Sequence, residues 1–156
     1  MNGKALAARA PERLRRLLPG PWVGVLLCIA LIATPAPFAT LAQADAGRVV
    51  ARIFAVEAPL SLALGVAMLL LERRAARAMG RGGWTWPMGL AALALFCTVA
   101  GYYGVQPMLA AARAGQGAWT FGQLHALSFG LFGLKLLAVA VLAWRQAGEI
   151  SPGPAS

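Results

Sequence analysis

A few polar side chains that can transfer protons or bind a cation lie within long apolar stretches of the sequence. Each ionisable group inside a membrane span costs about 2.5–3.5 kcal/mol, so it is a functional candidate by default. Glu57 is the first candidate, because an intramembrane carboxylate is functional unless a fixed partner such as Arg52 or Lys135 neutralises it. The other polar residues of this kind are Tyr102, Gln106, His125 and Ser128.

Four apolar segments must position these side chains, and each is long enough to cross a bilayer, which requires about 20 residues in a helix. They cover residues 22–41, 49–71, 87–109 and 121–144. Of the 156 residues 60% are apolar and only 12% are charged, which excludes an ordinary water-soluble globule. We expect an all-α integral membrane four-helix bundle over residues 21–146. A basic cytoplasmic tail at 1–20 precedes it, and a flexible tail at 147–156 follows.

The distribution of positive charge predicts the orientation of this bundle. The sequence has 14 Lys and Arg against 5 Asp and Glu, and most of the basic residues lie in the N-terminal tail and in the connector after the second segment. By the positive-inside rule we expect a multi-pass protein of the plasma membrane with both termini in the cytoplasm. The same charge attracts anionic lipid headgroups, so we expect lipid and not nucleic acid as the partner of this face.

The first apolar segment has a second interpretation as a signal peptide. A basic stretch, an apolar run and the tripeptide at 42–44 form a candidate cleavage site, so removal of residues 1–44 stays open. Because the apolar character continues to Leu41, we expect the segment to be retained as a span. Pro35 and Pro37 should then bend or loosen its outer end, since proline lacks the N–H that a helix needs.

A depth estimate indicates which polar side chains can meet. At about 1.5 Å per residue from the outer ends of the apolar segments, Glu57 lies about 12 Å deep, Tyr102 about 10 Å, His125 about 6 Å and Gln106 about 4–5 Å. Lys135 lies about 21 Å deep, where it either extends to the cytoplasmic headgroups or forms a buried ion pair. The estimate predicts an outer-half polar site that contains Glu57, Tyr102, Tyr103, Gln106 and His125.

Helical phase adds further members to this predicted site. At about 100° per residue, Ser128 and Lys135 lie within about 80° of His125, on one face of the fourth helix. Arg52 lies at the mouth of the site. Glu57, Ser61 and Gly65 follow one stripe of the second helix. A small-residue series, Gly122, Ala126 and Gly130, allows another helix to approach closely.

Enzymatic chemistry has little support in the sequence. The common catalytic and nucleotide-binding motifs are absent, and Cys28 and Cys97 lie in apolar spans as free thiols. His125 is the sole candidate metal ligand, and a metal site usually needs several partners at defined spacing. We therefore expect no catalytic residues, no metal and no cofactor, with a haem or copper centre on His125 as an alternative.

Four stretches of the sequence carry a family resemblance. They are PAPFATL at 35–41, RIFAVEA at 52–58, GYYGVQPM at 101–108 and FGQLHALS at 121–128. In this order and spacing they resemble bacterial proteins of the domain-of-unknown-function 4149 family, related to transmembrane protein 205. The resemblance implies a four-helix integral membrane protein that retains its first span, and it implies no particular activity.

Three functions remain open at this point. The first is a binding or transport-like protein whose outer-half cavity accepts a small polar or cationic ligand or relays protons. The second is a scaffold or partner subunit that docks other helices or a second copy through its small residues. The third is a membrane redox protein that binds haem or copper.

Overall fold

In the computed structural model, residues 3–148 are described, with side chains from residue 10 onwards. Four helical rods dominate this part of the chain, and each is long and apolar enough to cross a membrane. The rods cover Ala10–Thr40, Gln43–Ala78, Trp86–Arg113 and Phe121–Gly148. The predicted all-α four-span membrane architecture is therefore confirmed. The chain is a multi-pass membrane protein.

The helices extend beyond the apolar segments from which they were predicted. The second helix begins at Gln43 rather than near residue 49, and the last helix continues to Gly148. Residues Gly3–Leu17, predicted as a basic tail, form a helix that packs against the second and fourth spans. Residues 149–156, most of the predicted flexible tail, lie outside the described residues.

Two of the rods contain a wider π-helical turn, and a proline follows each of them. In the first rod, helix Pro19–Cys28 leads into a π-helical turn at Ile29–Ala33 and then into Pro35–Thr40. In the third, Trp86–Thr98 leads into Val99–Val105 and then into Gln106–Arg113, which contains Pro107. A proline ring clashes with the carbonyl four residues earlier, and a widened turn relieves such a clash. The loosening expected before Pro35 is thus present as a π-helical turn.

The fourth helix begins at a capping box. The backbone N–H of Gln123 donates to the Thr120 hydroxyl at 3.3 Å, and the Gln123 side chain accepts from the Thr120 backbone N–H at 3.0 Å. Two backbone donors that a helix start leaves unpaired are satisfied in this way. The cap fixes Phe121 as the first residue of the helix, and therefore fixes the level of every later side chain on it.

The apolar core lies in the half of the bundle towards the chain termini. Trp22, Leu26, Met68, Ala91 and Leu142 come from all four rods and are buried together. A smaller cluster of Val105, Leu109 and Leu124 lies towards the opposite end. Between these two clusters lie the buried polar residues Glu57 and Lys135.

Candidate functional site: a buried ion pair beside a small cavity

A charged pair joins the second and fourth spans between the two apolar clusters. Lys135 Nζ lies 2.6 Å from Glu57 Oε1. Glu57 and Lys135 are only 4% and 3% exposed. The ammonium also lies 4.9 Å from the centre of the Phe132 ring, within cation–π range. Of the two arrangements predicted for Lys135, the structure has the buried ion pair.

A chain of hydrogen bonds from the first span holds the same carboxylate. The Trp22 indole N–H donates to Ser61 Oγ at 3.0 Å, and the Ser61 hydroxyl donates to Glu57 Oε1. Ser61 lies one helical turn after Glu57 and Gly65 one turn further, and all three are buried, as the predicted stripe requires. Ser61 and Lys135 therefore both donate to Oε1 of the carboxylate, and Trp22 of the first span holds Ser61 in place.

The second carboxylate oxygen of Glu57, Oε2, differs from Oε1 in its hydrogen bonds. Within the described residues no side chain or backbone group donates a hydrogen bond to Oε2, although Glu57 itself lines a cavity. An ionised carboxylate accepts at both oxygens, so Oε2 keeps its capacity for water or for a proton. Glu57 thus lines the cavity while only one of its two carboxylate oxygens is hydrogen-bonded to described side chains.

The cavity beside Glu57 is small, and both polar and apolar side chains line it. Its volume is about 30 Å³, enough for one or two water molecules and too small for an organic solute. The π-helical turn of the third span contributes Gly101 and Tyr102 to the wall. The full lining is Phe54, Glu57, Cys97, Thr98, Gly101, Tyr102, Gln106, Ser128, Phe132 and Lys135.

The structure brings together some of the predicted site residues and separates others. Glu57, Tyr102, Gln106 and Ser128 line the cavity, together with Lys135. His125 is exposed on the fourth span, where its ring stacks on Phe121 with centres 5.7 Å apart. Arg52 is exposed on the second span and is not part of the cavity wall. The cavity therefore uses the face of the fourth helix that contains Ser128 and Lys135, while His125 lies outside it.

The predicted difference in depth between Glu57 and Lys135 was wrong, and the start of the second helix explains the error. Glu57 and Lys135 each lie fourteen positions after the first residue of their helices, Gln43 and Phe121. Both helices begin at the same end of the bundle, so at about 1.5 Å per residue the two side chains share one level. The prediction began the second helix six residues too late, so it placed Glu57 about 9 Å too close to the outer boundary of the membrane.

A second buried polar cluster was not predicted from the sequence. Arg15 Nη1 and Gln146 Nε2 donate to Glu72 Oε1 at 3.2 and 2.5 Å, and Arg15 also binds Glu12. Gln146 is 1% exposed, and its Oε1 atom has no hydrogen-bond partner in the described part of the chain. This cluster fastens the N-terminal helix to the second and fourth spans. Glu72, at the end of an apolar segment, was the signal that could have revealed it.

The arrangement of side chains offers no ready metal site. No three His, Cys, Asp or Glu residues cluster with ligand spacing within residues 10–148. A copper site usually needs several such ligands, so the described residues around His125 do not fit one.

The long apolar rods and the buried charge pair define the class, an integral membrane four-helix bundle with an intramembrane polar site. The model of the family described as "Domain of unknown function (DUF4149)" matches residues 17–118. The chain belongs to this family. The match covers Glu57 and the third span, while Lys135 lies beyond it. No curated protein and no solved structure matches the chain.

Proposed function

We propose that this protein is a binding or transport-like membrane protein in which Glu57 exchanges a proton with water in the adjoining cavity. The observation that supports the proposal is the asymmetry of the carboxylate. Oε1 accepts hydrogen bonds from Ser61 and Lys135, Oε2 has no donor within the described residues, and Glu57 lines a cavity of water size. A buried carboxylate with one available oxygen beside a water-sized space is suited to proton transfer.

The size of the cavity favours a proton or a very small cation over a larger ligand. A volume of about 30 Å³ admits water, which needs two to four polar partners to be held in place. Tyr102, Gln106 and Ser128 supply hydroxyl and amide groups on the cavity wall. They can hold water beside Glu57.

The ion pair with Lys135 couples proton exchange at Glu57 to the packing of the second and fourth spans. In the ion pair the two formal charges cancel, so the buried site is neutral. A proton on Oε2 removes the negative charge and leaves the ammonium inside the span without its counterion, which is costly. Protonation would therefore weaken the contact between the second and fourth spans. Such coupling between charge and helix packing is what a transport-like protein requires.

Proton flux into liposomes tests this proposal. The purified protein is reconstituted with a pH-sensitive dye inside, and an imposed membrane potential drives protons inwards. We expect flux above that of protein-free liposomes, and flux near that background for Glu57→Gln and Tyr102→Phe. Tyr102→Phe leaves the ion pair intact. The flux of this variant therefore tests the proposal even if Glu57→Gln fails to fold.

Two variants outside the cavity provide matched controls. Arg52→Gln and His125→Ala change exposed side chains on the same two helices and should conduct as the wild type does. Wild-type flux equal to that of empty liposomes, or full flux in Glu57→Gln, would contradict the proposal.

A second candidate function is that of a scaffold or partner subunit. Gly122, Ala126 and Gly130 are exposed, and nothing lies within 4 Å of a Cβ added at either glycine. No described residue packs against the two glycines of this series, so the series is available to another helix or a second copy. The liposome measurement distinguishes the two functions, because a scaffold has no proton flux of its own.

We also infer the orientation and location of the protein in the cell. The end of the bundle with the connector at 79–85 contains Arg73, Arg74, Arg77 and Arg81, and the basic N-terminal helix lies at the same end. By the positive-inside rule this arginine-rich end faces the cytoplasm. The resemblance to bacterial proteins supports a location in the inner membrane of a bacterium.

A further inference from the structure

A second cavity lies at the arginine-rich end of the bundle and shares no lining residue with the cavity beside Glu57. The end of the second span, the connector and the start of the third span line it. Its volume is about 250 Å³, just below the range of about 300–1,000 Å³ that holds drug-sized ligands. Its lining is Arg73, Ala76, Arg77, Arg81, Gly82, Gly83, Trp84 and Met88. Three of these eight residues are arginines, so the wall is strongly positive.

The turn that ends the second helix brings these arginines together. The backbone N–H of Arg81 donates to the Ala76 carbonyl at 2.9 Å, and that of Gly80 donates to the Arg77 carbonyl at 3.0 Å. This pair of bonds is a Schellman motif, and Gly80 has the positive φ of 70° that it needs. The chain therefore folds back over the last helical turn, which places Arg81 beside Arg73 and Arg77, themselves one turn apart.

No carboxylate neutralises the three arginines within residues 10–148. Each described acid is already paired elsewhere: Glu12 with Arg15 and Arg16, Asp45 with Arg48, Glu57 with Lys135, and Glu72 with Arg15. The fifth acid, Glu149, lies outside the described residues. The cavity thus concentrates positive charge for which this part of the chain supplies no counterion.

We propose that this cavity binds the phosphate group of an anionic lipid headgroup. Guanidinium groups bind phosphate oxygens through paired hydrogen bonds, which makes arginine the preferred residue for this recognition. The position favours lipid over soluble phosphate, because Trp84 and Met88 form the apolar part of the wall and the third span begins at Trp86. Trp84 and Trp86 are both well exposed, as in the aromatic belt at a membrane surface. Basic pockets between membrane helices bind such headgroups.

Native mass spectrometry of the detergent-solubilised protein tests the proposal. The full-length chain is titrated with phosphatidylglycerol, and with phosphatidylcholine as the zwitterionic lipid. We expect one retained phosphatidylglycerol and no retained phosphatidylcholine. Each lost guanidinium near the surface should weaken retention about fivefold, so Arg77→Gln gives about that factor and the triple variant Arg73→Gln/Arg77→Gln/Arg81→Gln about a hundredfold.

Arg74→Gln is the matched control, because Arg74 is exposed on the same helical turn but does not line the cavity. It should retain the lipid as the wild type does. Equal weakening in Arg74→Gln and Arg77→Gln would overturn the site in favour of general surface attraction. Retention of phosphatidylcholine at the level of phosphatidylglycerol would overturn it as well.

A separate arm identifies the source of the phosphate. Inorganic phosphate in large excess should leave the bound phosphatidylglycerol in place, since it lacks the apolar part of the lipid. Displacement of the lipid by inorganic phosphate would instead assign the cavity to a soluble phosphate compound and refute the lipid.

Discussion

Removal of one partner of the Glu57–Lys135 pair should destabilise the protein strongly. At the observed 2.6 Å, two unit charges attract each other by about 6 kcal/mol at an effective dielectric constant of about 20. Desolvation offsets part of this attraction. Lys135→Met leaves the Glu57 carboxylate buried without its partner, and such a change costs about 3–5 kcal/mol. Glu57→Gln leaves the ammonium unpaired and should cost a similar amount.

Removal of both charges should restore most of the stability. The double variant Glu57→Gln/Lys135→Met leaves no buried charge at the site, and replacement of a buried ion pair by neutral groups of similar volume is often neutral. We expect its free energy of unfolding to lie within about 1.5 kcal/mol of the wild type, the usual range for a well-fitting exchange of buried side chains. The four proteins form a double-mutant cycle, measured by reversible unfolding in mixed micelles with circular dichroism as the signal.

Two results would refute this reasoning. Single variants that cost less than about 1 kcal/mol would be typical of an exposed ion pair and would contradict the burial described above. A double variant equal to the sum of the singles would mean that the two charges do not interact. Arg48→Gln is the control, because its pair with Asp45 is exposed and should contribute less than about 1 kcal/mol.

Two further predictions concern packing and orientation. A Cβ at Gly65 would lie 2.7 Å from Leu95 Cγ, so Gly65→Ala should lower the free energy of unfolding by about 1–3 kcal/mol in the same assay. Gly133 has open space around it, so Gly133→Ala should not lower this free energy. Equal effects of the two substitutions would contradict the close contact of the second and third spans. Cysteines introduced at Gln116 and Gly82 should react with a membrane-impermeant maleimide from opposite sides of the membrane, Gln116→Cys from outside and Gly82→Cys only after permeabilisation. The reverse pattern would overturn the inferred orientation.

The sequence predicts the fold well because apolar length is the physical requirement for crossing a membrane. All four spans could be located from it. The ends of the helices could not be located in this way, because the length of an apolar segment indicates only the part of a helix that contacts lipid. The second helix begins earlier, at Gln43, in a stretch of small and polar residues. The depth predicted for Glu57 was therefore too shallow, and its contact with Lys135 was not predicted.

The composition of the site was harder to predict, because helical phase gives relative angles and not the direction of the bundle centre. Ser128, Lys135 and His125 fit one broad face by phase, but the cavity uses only the part that contains Ser128 and Lys135. The Arg15–Glu72 contact was missed for another reason. Arg15 was placed in a tail, and only the helix at Gly3–Leu17 brings it back to the bundle.

The π-helical turn at Val99–Val105 acts as a built-in register shift in the third span. A turn of this kind contains one residue more than the α-helical turn it replaces. Loss of a single residue there would close the turn and rotate everything from Gln106 to Arg113 by about 100° relative to Cys97 and Thr98. Gln106 would leave the cavity wall while the residues before the turn kept their places. If one family member lacks a residue in this stretch relative to another, the shorter chain should therefore lack the Gln106 side of the cavity.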